Sequence, residues 1–162
     1  MASGDTLLIF TPLGNEPPAT NYATLDTVNS HPVLNFDDTT AEAAIWSGTM
    51  PRAYAGGGVT VYIHWGAYST TGDCDWDVSW ERIGDFVLDI DADSFAAVNS
   101  VDGTAVPTTI GGIDIANVTF TDGADMDSVA VGEAFRLRVQ RGAPTDTEVG
   151  DCYILAVEVK ET

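Results

Sequence analysis

The chain has very little positive charge: Lys160 and five arginines stand against 25 acidic residues, a formal net charge of -19. Such a field repels phosphate backbones and anionic lipid, which sets nucleic acid and membrane aside as partners. Long apolar runs are also missing. The longest, such as Leu7-Leu8-Ile9-Phe10, are strand-sized and fall short of the roughly 18–20 residues that span a bilayer, so a soluble protein is expected. The N-terminus, Met-Ala-Ser-Gly-Asp, lacks a basic region and an apolar core, so no secretory signal is expected. Only two cysteines occur, Cys74 and Cys152, each behind a Gly-Asp pair that opens an alternating run. A bridge between them is geometrically open, but free thiols are the expectation for a chain without a secretory signal.

Chemical motifs are scarce too. The single lysine lies beside the C-terminus, and the one glycine cluster, Gly56-Gly57-Gly58, opens a strand, so no phosphate cradle is expected. Those glycines read as a tight turn or bulge before Val59. His31 and His64 have no second histidine or cysteine at zinc-ligand spacing, and no nucleophile elbow is present. The chain is therefore expected to be no enzyme, with no catalytic residue, no metal site and no cofactor. Paired carboxylates for glycoside hydrolysis stay open only because acids are abundant. Asn117-Val118-Thr119 fits a glycosylation sequon and reads as chance without secretion.

What is present is a globular composition, 44% hydrophobic, in a chain long enough to bury about 70% of its unfolded surface as one domain. Repeats, low-complexity tracts and helical periodicity are absent. Residues 11–22 hold three of the seven prolines, so 1–22 reads as an N-terminal arm and 23–162 as a single domain.

Short alternating runs follow, separated by Gly, Asp, Asn and Pro. Val59–Trp65 points Val59, Val61, Ile63 and Trp65 inward and Tyr62 and His64 outward. Cys74–Arg82 sets Cys74, Trp76, Val78 and Trp80 against Asp75, Asp77 and Glu81. Phe135–Val139 sets Phe135, Leu137 and Val139 against Arg136 and Arg138, with Arg141 just beyond. Tyr153–Lys160 is apolar on both faces and suits a central strand. Weaker runs cover Thr6–Phe10, Val33–Asp37, Ala43–Thr49, Asp85–Ile90, Phe95–Val101 and Ile113–Thr121. Ala124–Ala130 admits a single turn of helix as a connector. About ten strands without βαβ alternation predict an all-β, antiparallel jelly-roll sandwich.

Three clusters invite a binding reading. Asp89, Asp91 and Asp93 alternate as calcium ligands do, yet Ser94 and Ser100 stand where an EF-hand needs Gly and Glu, so a solvated acidic turn is expected. Trp46, Trp65, Trp76, Trp80, Tyr54, Tyr62 and Tyr68 include potential sugar-stacking rings. The phase of Trp65, Trp76 and Trp80 makes them core and leaves Tyr62 and His64 as the better binding pair. The acidic ladder Asp75, Asp77, Glu81 is expected to face solvent or to meet Arg136 and Arg138 across strands.

Two stretches carry a family likeness: 44–65, with Ala44-Ile45-Trp46-Ser47-Gly48-Thr49-Met50-Pro51-Arg52 running into Val59-Thr60-Val61-Tyr62-Ile63-His64-Trp65, and 132–158, with Phe135-Arg136-Leu137-Arg138-Val139 and Cys152-Tyr153-Ile154-Leu155-Ala156-Val157. The sequence resembles small jelly-roll structural proteins of tailed phages, of capsid-decoration and tail-fibre type. That resemblance implies a virion structural protein, made in the host cytoplasm. It also implies self-assembly, with a trimer favoured, and docking on partners such as the major capsid protein through the N-terminal arm. The alternative on the same fold is a carbohydrate-binding or receptor-binding module, calcium-dependent in one version, with a surface glycan as partner.

Overall fold

The computed structural model describes residues 4–86, 89–142 and 146–162, and these form a jelly-roll β-sandwich of two antiparallel sheets. Ten strands are described: β1 (Thr6–Phe10), β2 (Thr24–Val28), β3 (His31–Phe36), β4 (Ala43–Thr49), β5 (Val59–Ala67), β6 (Asp73–Ile83), β7 (Asn99–Ala105), β8 (Asp114–Phe120), β9 (Ala134–Gly142) and β10 (Cys152–Glu161). One sheet runs β2-β3-β10-β5-β8, with β1 also on β10; the other runs β4-β9-β6-β7.

Alternation decides which side chains meet between the sheets. Val59, Val61, Ile63 and Trp65 of β5 face Trp76, Val78 and Trp80 of β6 and Phe135, Leu137 and Val139 of β9, all of them buried. Trp76 stands edge-on to Phe36 and Trp65, at centroid distances of 5.2 and 5.7 Å, and Trp80 tilts on Phe135 at 4.7 Å. Strand β10 is central as expected. It pairs with β5 along its length on one side and with β3 and β1 in turn on the other. A register shift between Ile154 and Ala156 switches its phase, so Ile154 and Val157 both reach the core.

Several expectations are corrected. Of Asp85–Ile90, Val87 and Leu88 lie outside the described residues, and the others form turns and irregular backbone. Phe86 is left-handed (φ 55°), and the Asp89 carboxylate accepts the Asp91 N–H; neither suits a ladder. The run expected from Phe95 begins only at Asn99. The single helical turn expected within 124–130 is present as a 3-10 turn, Ala124–Met126, which the left-handed Asp127 and Ser128 end. Strand β2 was not expected. It forms a hairpin with β3 through Asn29-Ser30, both at positive φ, the arrangement that matches strand twist in a two-residue loop.

The two cysteines are not free. Cys74 on β6 and Cys152 on β10 are joined by a disulfide that ties one sheet to the other across the core. The Gly-Asp pairs before them mark the same end of two facing strands rather than of neighbours within one sheet.

The segment 1–22 is held against the sandwich over much of its described length. Strand β1 pairs with β10. The Trp46 indole donates to the Thr11 carbonyl, the Ile45 N–H to Asn15 Oδ1, and Ser47 Oγ to Glu16 Oε2. This segment thereby extends the side of the β4 strand and builds one wall of the site described next.

Candidate functional site

Strand β9 presents Arg136, Arg138 and Gln140 on the outer face of the four-stranded sheet because Phe135, Leu137 and Val139 are taken into the core. Antiparallel register places Glu81, Ser79 and Asp77 of β6 directly opposite them. Arg136 Nε donates to Glu81 Oε2 at 2.5 Å, and Arg138 Nε donates to Ser79 Oγ at 3.0 Å. Asp77 accepts from Ser100 Oγ on β7, and Asp75 accepts the Gly103 N–H. The acidic ladder therefore does meet an arginine, but it is less solvated than expected: Asp75 is 1% and Glu81 3% exposed.

Above this floor lies Phe95, carried by the irregular chain between β6 and β7. Its ring centre is 5.2 Å from the Arg136 guanidinium carbon and 4.6 Å from that of Arg138. The backbone holds it there, since the neighbouring Ala96 N–H donates to the Trp80 carbonyl. Opposite Phe95 stand residues 18–21 of the leader and Ile45 of β4. Between the two walls is a groove of about 480 Å³, floored by Arg136, Arg138 and Gln140 and lined by no carboxylate. Burial pushes the Arg138 guanidinium below the usual arginine range, opposed by the charges of Asp77 and Glu81. Such a trough offers donors from Arg136 and Arg138 and both a donor and an acceptor from Gln140 along its floor, with a flat ring on one wall, which suits an extended polar ligand.

Other candidates fall elsewhere. Trp46, Trp65, Trp76 and Trp80 are fully buried, so none is a surface platform. The indole N–H groups of Trp65, Trp76 and Trp80 find no acceptor among the described residues. Tyr62 and His64 are half-buried on the outer face of the six-stranded sheet, away from the groove, and the Lys160 amine lies 5.8 Å from the Tyr62 ring. Tyr68 is tilted on Tyr153 at 5.1 Å and donates to Asn35 Oδ1. Tyr54 is buried at the loop end of the sandwich, donates to Asp122 and accepts the Gly58 N–H; burial and then Asp122 push its phenol up to about 12. A second hollow of about 390 Å³ opens there, between 54–56 and 122–131. Gly58, at φ 87°, makes the tight entry expected before Val59, where a Cβ would clash with the Phe120 carbonyl.

Asp89, Asp91 and Asp93 build a local turn, with the Asp89 carbonyl and carboxylate accepting the N–H groups that follow. The acids the fold does gather are Asp37, Asp38 and Asp151, whose oxygens lie within 4.8 Å of one another. A hard cation such as calcium is the ion such oxygens suit. Burial and the charges of Asp37 and Asp38 push Asp151 upward, while Asp37 itself is lowered by the Thr39 hydroxyl and N–H. No local motif joins Asp151 to the Asp37-Asp38 pair, so alternation alone could not find the cluster. The groove was half legible, because the outward phase of Arg136 and Arg138 was readable and the arrival of Phe95 was not.

Among solved structures, the chain is similar to a family 35 carbohydrate binding module from an environmental isolate (TM-score 0.56, 11% identity, covering 96% of this chain and 94% of that one). It is also similar to a family 35 carbohydrate binding module from Clostridium thermocellum (TM-score 0.54, 12% identity, 96% and 98% covered). A third is the CBM22-1 xylan-binding domain of Xyn10C from Paenibacillus barcinonensis (TM-score 0.52, 8% identity, 99% and 97% covered). The likeness is one of fold. No family model matches the sequence, and no curated protein matches it.

Proposed function

We propose that the protein is a non-catalytic carbohydrate-binding module that takes a polysaccharide chain in the groove on the outer face of the four-stranded sheet. One observation carries the reading: Phe95 pinned over Arg136 and Arg138 beside Gln140, in an open trough about 480 Å³ in volume. Sugar rings present apolar C–H faces and a rim of hydroxyls. An aromatic wall, two donating guanidinium groups and the Gln140 amide, which both donates and accepts, answer those two needs. The similarity in fold to carbohydrate binding modules, one of them named as xylan-binding, supports the reading. So does the cross-sheet disulfide, which suits display in an oxidising compartment. The test is an array of plant, algal and bacterial polysaccharides, followed by titration calorimetry on the best binder. Phe95→Ala and Gln140→Ala are each expected to weaken binding about tenfold. Absence of binding to every glycan, or binding indifferent to both substitutions, overturns the proposal.

A second reading keeps the phage resemblance: a virion decoration or tail-fibre domain that assembles with copies of itself and docks on a capsid. What favours it is a strip free of carboxylates along the leader, β3 and β10. Pro12, Leu13, His31 and Leu155 join three adjoining hollows that no carboxylate lines, and Leu13 and Leu25 are well exposed. Light scattering on the wild type and on the Leu13→Asp, Leu25→Asp double variant tests it. A wild-type oligomer that the double variant breaks supports assembly, and a monomeric wild type removes it. Deletion of residues 1–22 is a poorer test, since it also removes strand β1 from the sheet.

A further inference from the structure

We propose that the groove selects a polysaccharide bearing an anionic group, a carboxylate or a sulfate ester, and seats that group on the guanidinium of Arg138. This rests on the carbohydrate reading and names its ligand class.

The inference starts from how the arginines are used. Arg82 is paired with Glu133, Arg136 with Glu81 and Arg141 with Asp146. Arg52 is exposed to solvent. Arg138 alone is drawn into the structure without a carboxylate at ion-pair distance among the described residues. Its one hydrogen bond there runs from Nε to Ser79 Oγ, a neutral acceptor, so its two Nη nitrogens are left for a ligand. They are not sealed in the interior either, because neither is among the buried nitrogens left without a partner. Phe95 covers one face of the guanidinium plane at 4.6 Å and strips water from it. A planar, partly desolvated cation with two parallel donors free matches a carboxylate or sulfate bidentately.

Charge in the groove points the same way. The chain carries 25 acidic residues, and none of them lines this trough. The nearest are occupied: Glu81 by Arg136, and Asp77 by the Ser100 hydroxyl. The net charge of -19 opposes an anionic ligand at long range. At an ionic strength of about 0.15 M, however, the screening length is about 8 Å, so a direct contact with Arg138 outweighs the distant acids.

Calorimetry on the intact protein, with three oligosaccharides of matched length, tests the inference: an oligogalacturonide, its carboxyl-reduced neutral counterpart, and a sulfated oligogalactan. At low salt at least one acidic oligosaccharide is expected to bind about tenfold tighter than the neutral one, and the preference should collapse near 0.5 M salt. Which acidic ligand wins tells carboxylate from sulfate. Arg138→Gln is expected to weaken acidic binding about tenfold more than neutral binding, which erases the preference, and Arg138→Lys to keep part of it. If Arg138→Gln fails to fold, Ser79→Ala, which frees Nε, is expected to reduce the preference. Equal affinity for acidic and neutral ligands, or a preference that survives Arg138→Gln, overturns the inference and leaves the carbohydrate reading standing. Failure of all three, together with a blank glycan array, overturns that reading itself.

Discussion

The groove-facing middle of strand β9, its open part, and its C-terminal, closed end use arginine in opposite ways. At its C-terminal end Arg141, 2% exposed, gives Nε and Nη2 to the Asp146 carboxylate and further donors to the carbonyls of Phe36, Glu148 and Gly150. Three residues earlier, Arg138 makes one hydrogen bond among the described residues, to a serine. The closed end gathers every device that fixes a structure: a saturated guanidinium, the Phe36–Trp76 edge contact and the Cys74–Cys152 bridge. The open part keeps donors in reserve. An arginine spent on its own chain holds the fold, and one with unspent donors beside a wall is fit to hold something else.

Loss of the bridge should show the largest effect at the closed end. The cysteines are 78 residues apart, and the chain-entropy view assigns closure of such a loop about 4.5 kcal/mol. Chemical denaturation of the Cys74→Ser, Cys152→Ser double variant is expected to lose about that much, with glycan binding retained once the protein is folded. A loss below about 1 kcal/mol would mean that the closed end draws its stability from packing rather than from the covalent tie.

Arg141→Met comes next. It removes the cation and leaves Asp146 and three backbone carbonyls without their donor, and breaking a buried pair from one side costs about 3 to 5 kcal/mol. Adding Asp146→Leu to it should recover part of that loss, since the stranded charge is then removed as well. A double variant no better than the single one would show that the carbonyl contacts, not the ion pair, carry the cost.

The contrast also marks where sequence stops being informative. Strict alternation made β5, β6 and β9 legible, because burial between two sheets writes a period of two into any strand with one face in the core. Strand β2 escaped: Leu25, Asp26 and Thr27 are all exposed at the sheet edge, so no face imposes a pattern. The bridge was underweighted because compartment logic was applied to a pair whose Gly-Asp-Cys contexts already hinted at a shared end. Arg136, Arg138 and Arg141 looked alike as a basic segment. What separates them is nonlocal: Asp146 and Gly150 arrive from one connection and Phe95 from another. The same holds for Asp37, Asp38 and Asp151, which meet only through the pairing of β3 with β10.

The smallest effect on stability is expected in the open part, and it is the sharpest test of the contrast. Phe95 is half-buried and covers two guanidinium groups, and each such contact at a partly exposed site contributes about 0.5 to 1 kcal/mol. Phe95→Ala is therefore expected to cost about 1 to 2 kcal/mol in thermal or chemical unfolding. Arg138→Gln should cost about 0.5 to 1 kcal/mol, the loss of its one contact with Phe95, because its hydrogen bond among the described residues ends on a neutral serine and no buried carboxylate is stranded. The two variants must then separate by readout: small losses of stability with large losses of binding mark a groove, whereas Arg138→Gln costing as much as Arg141→Met would make both arginines structural and leave the trough without an unspent donor.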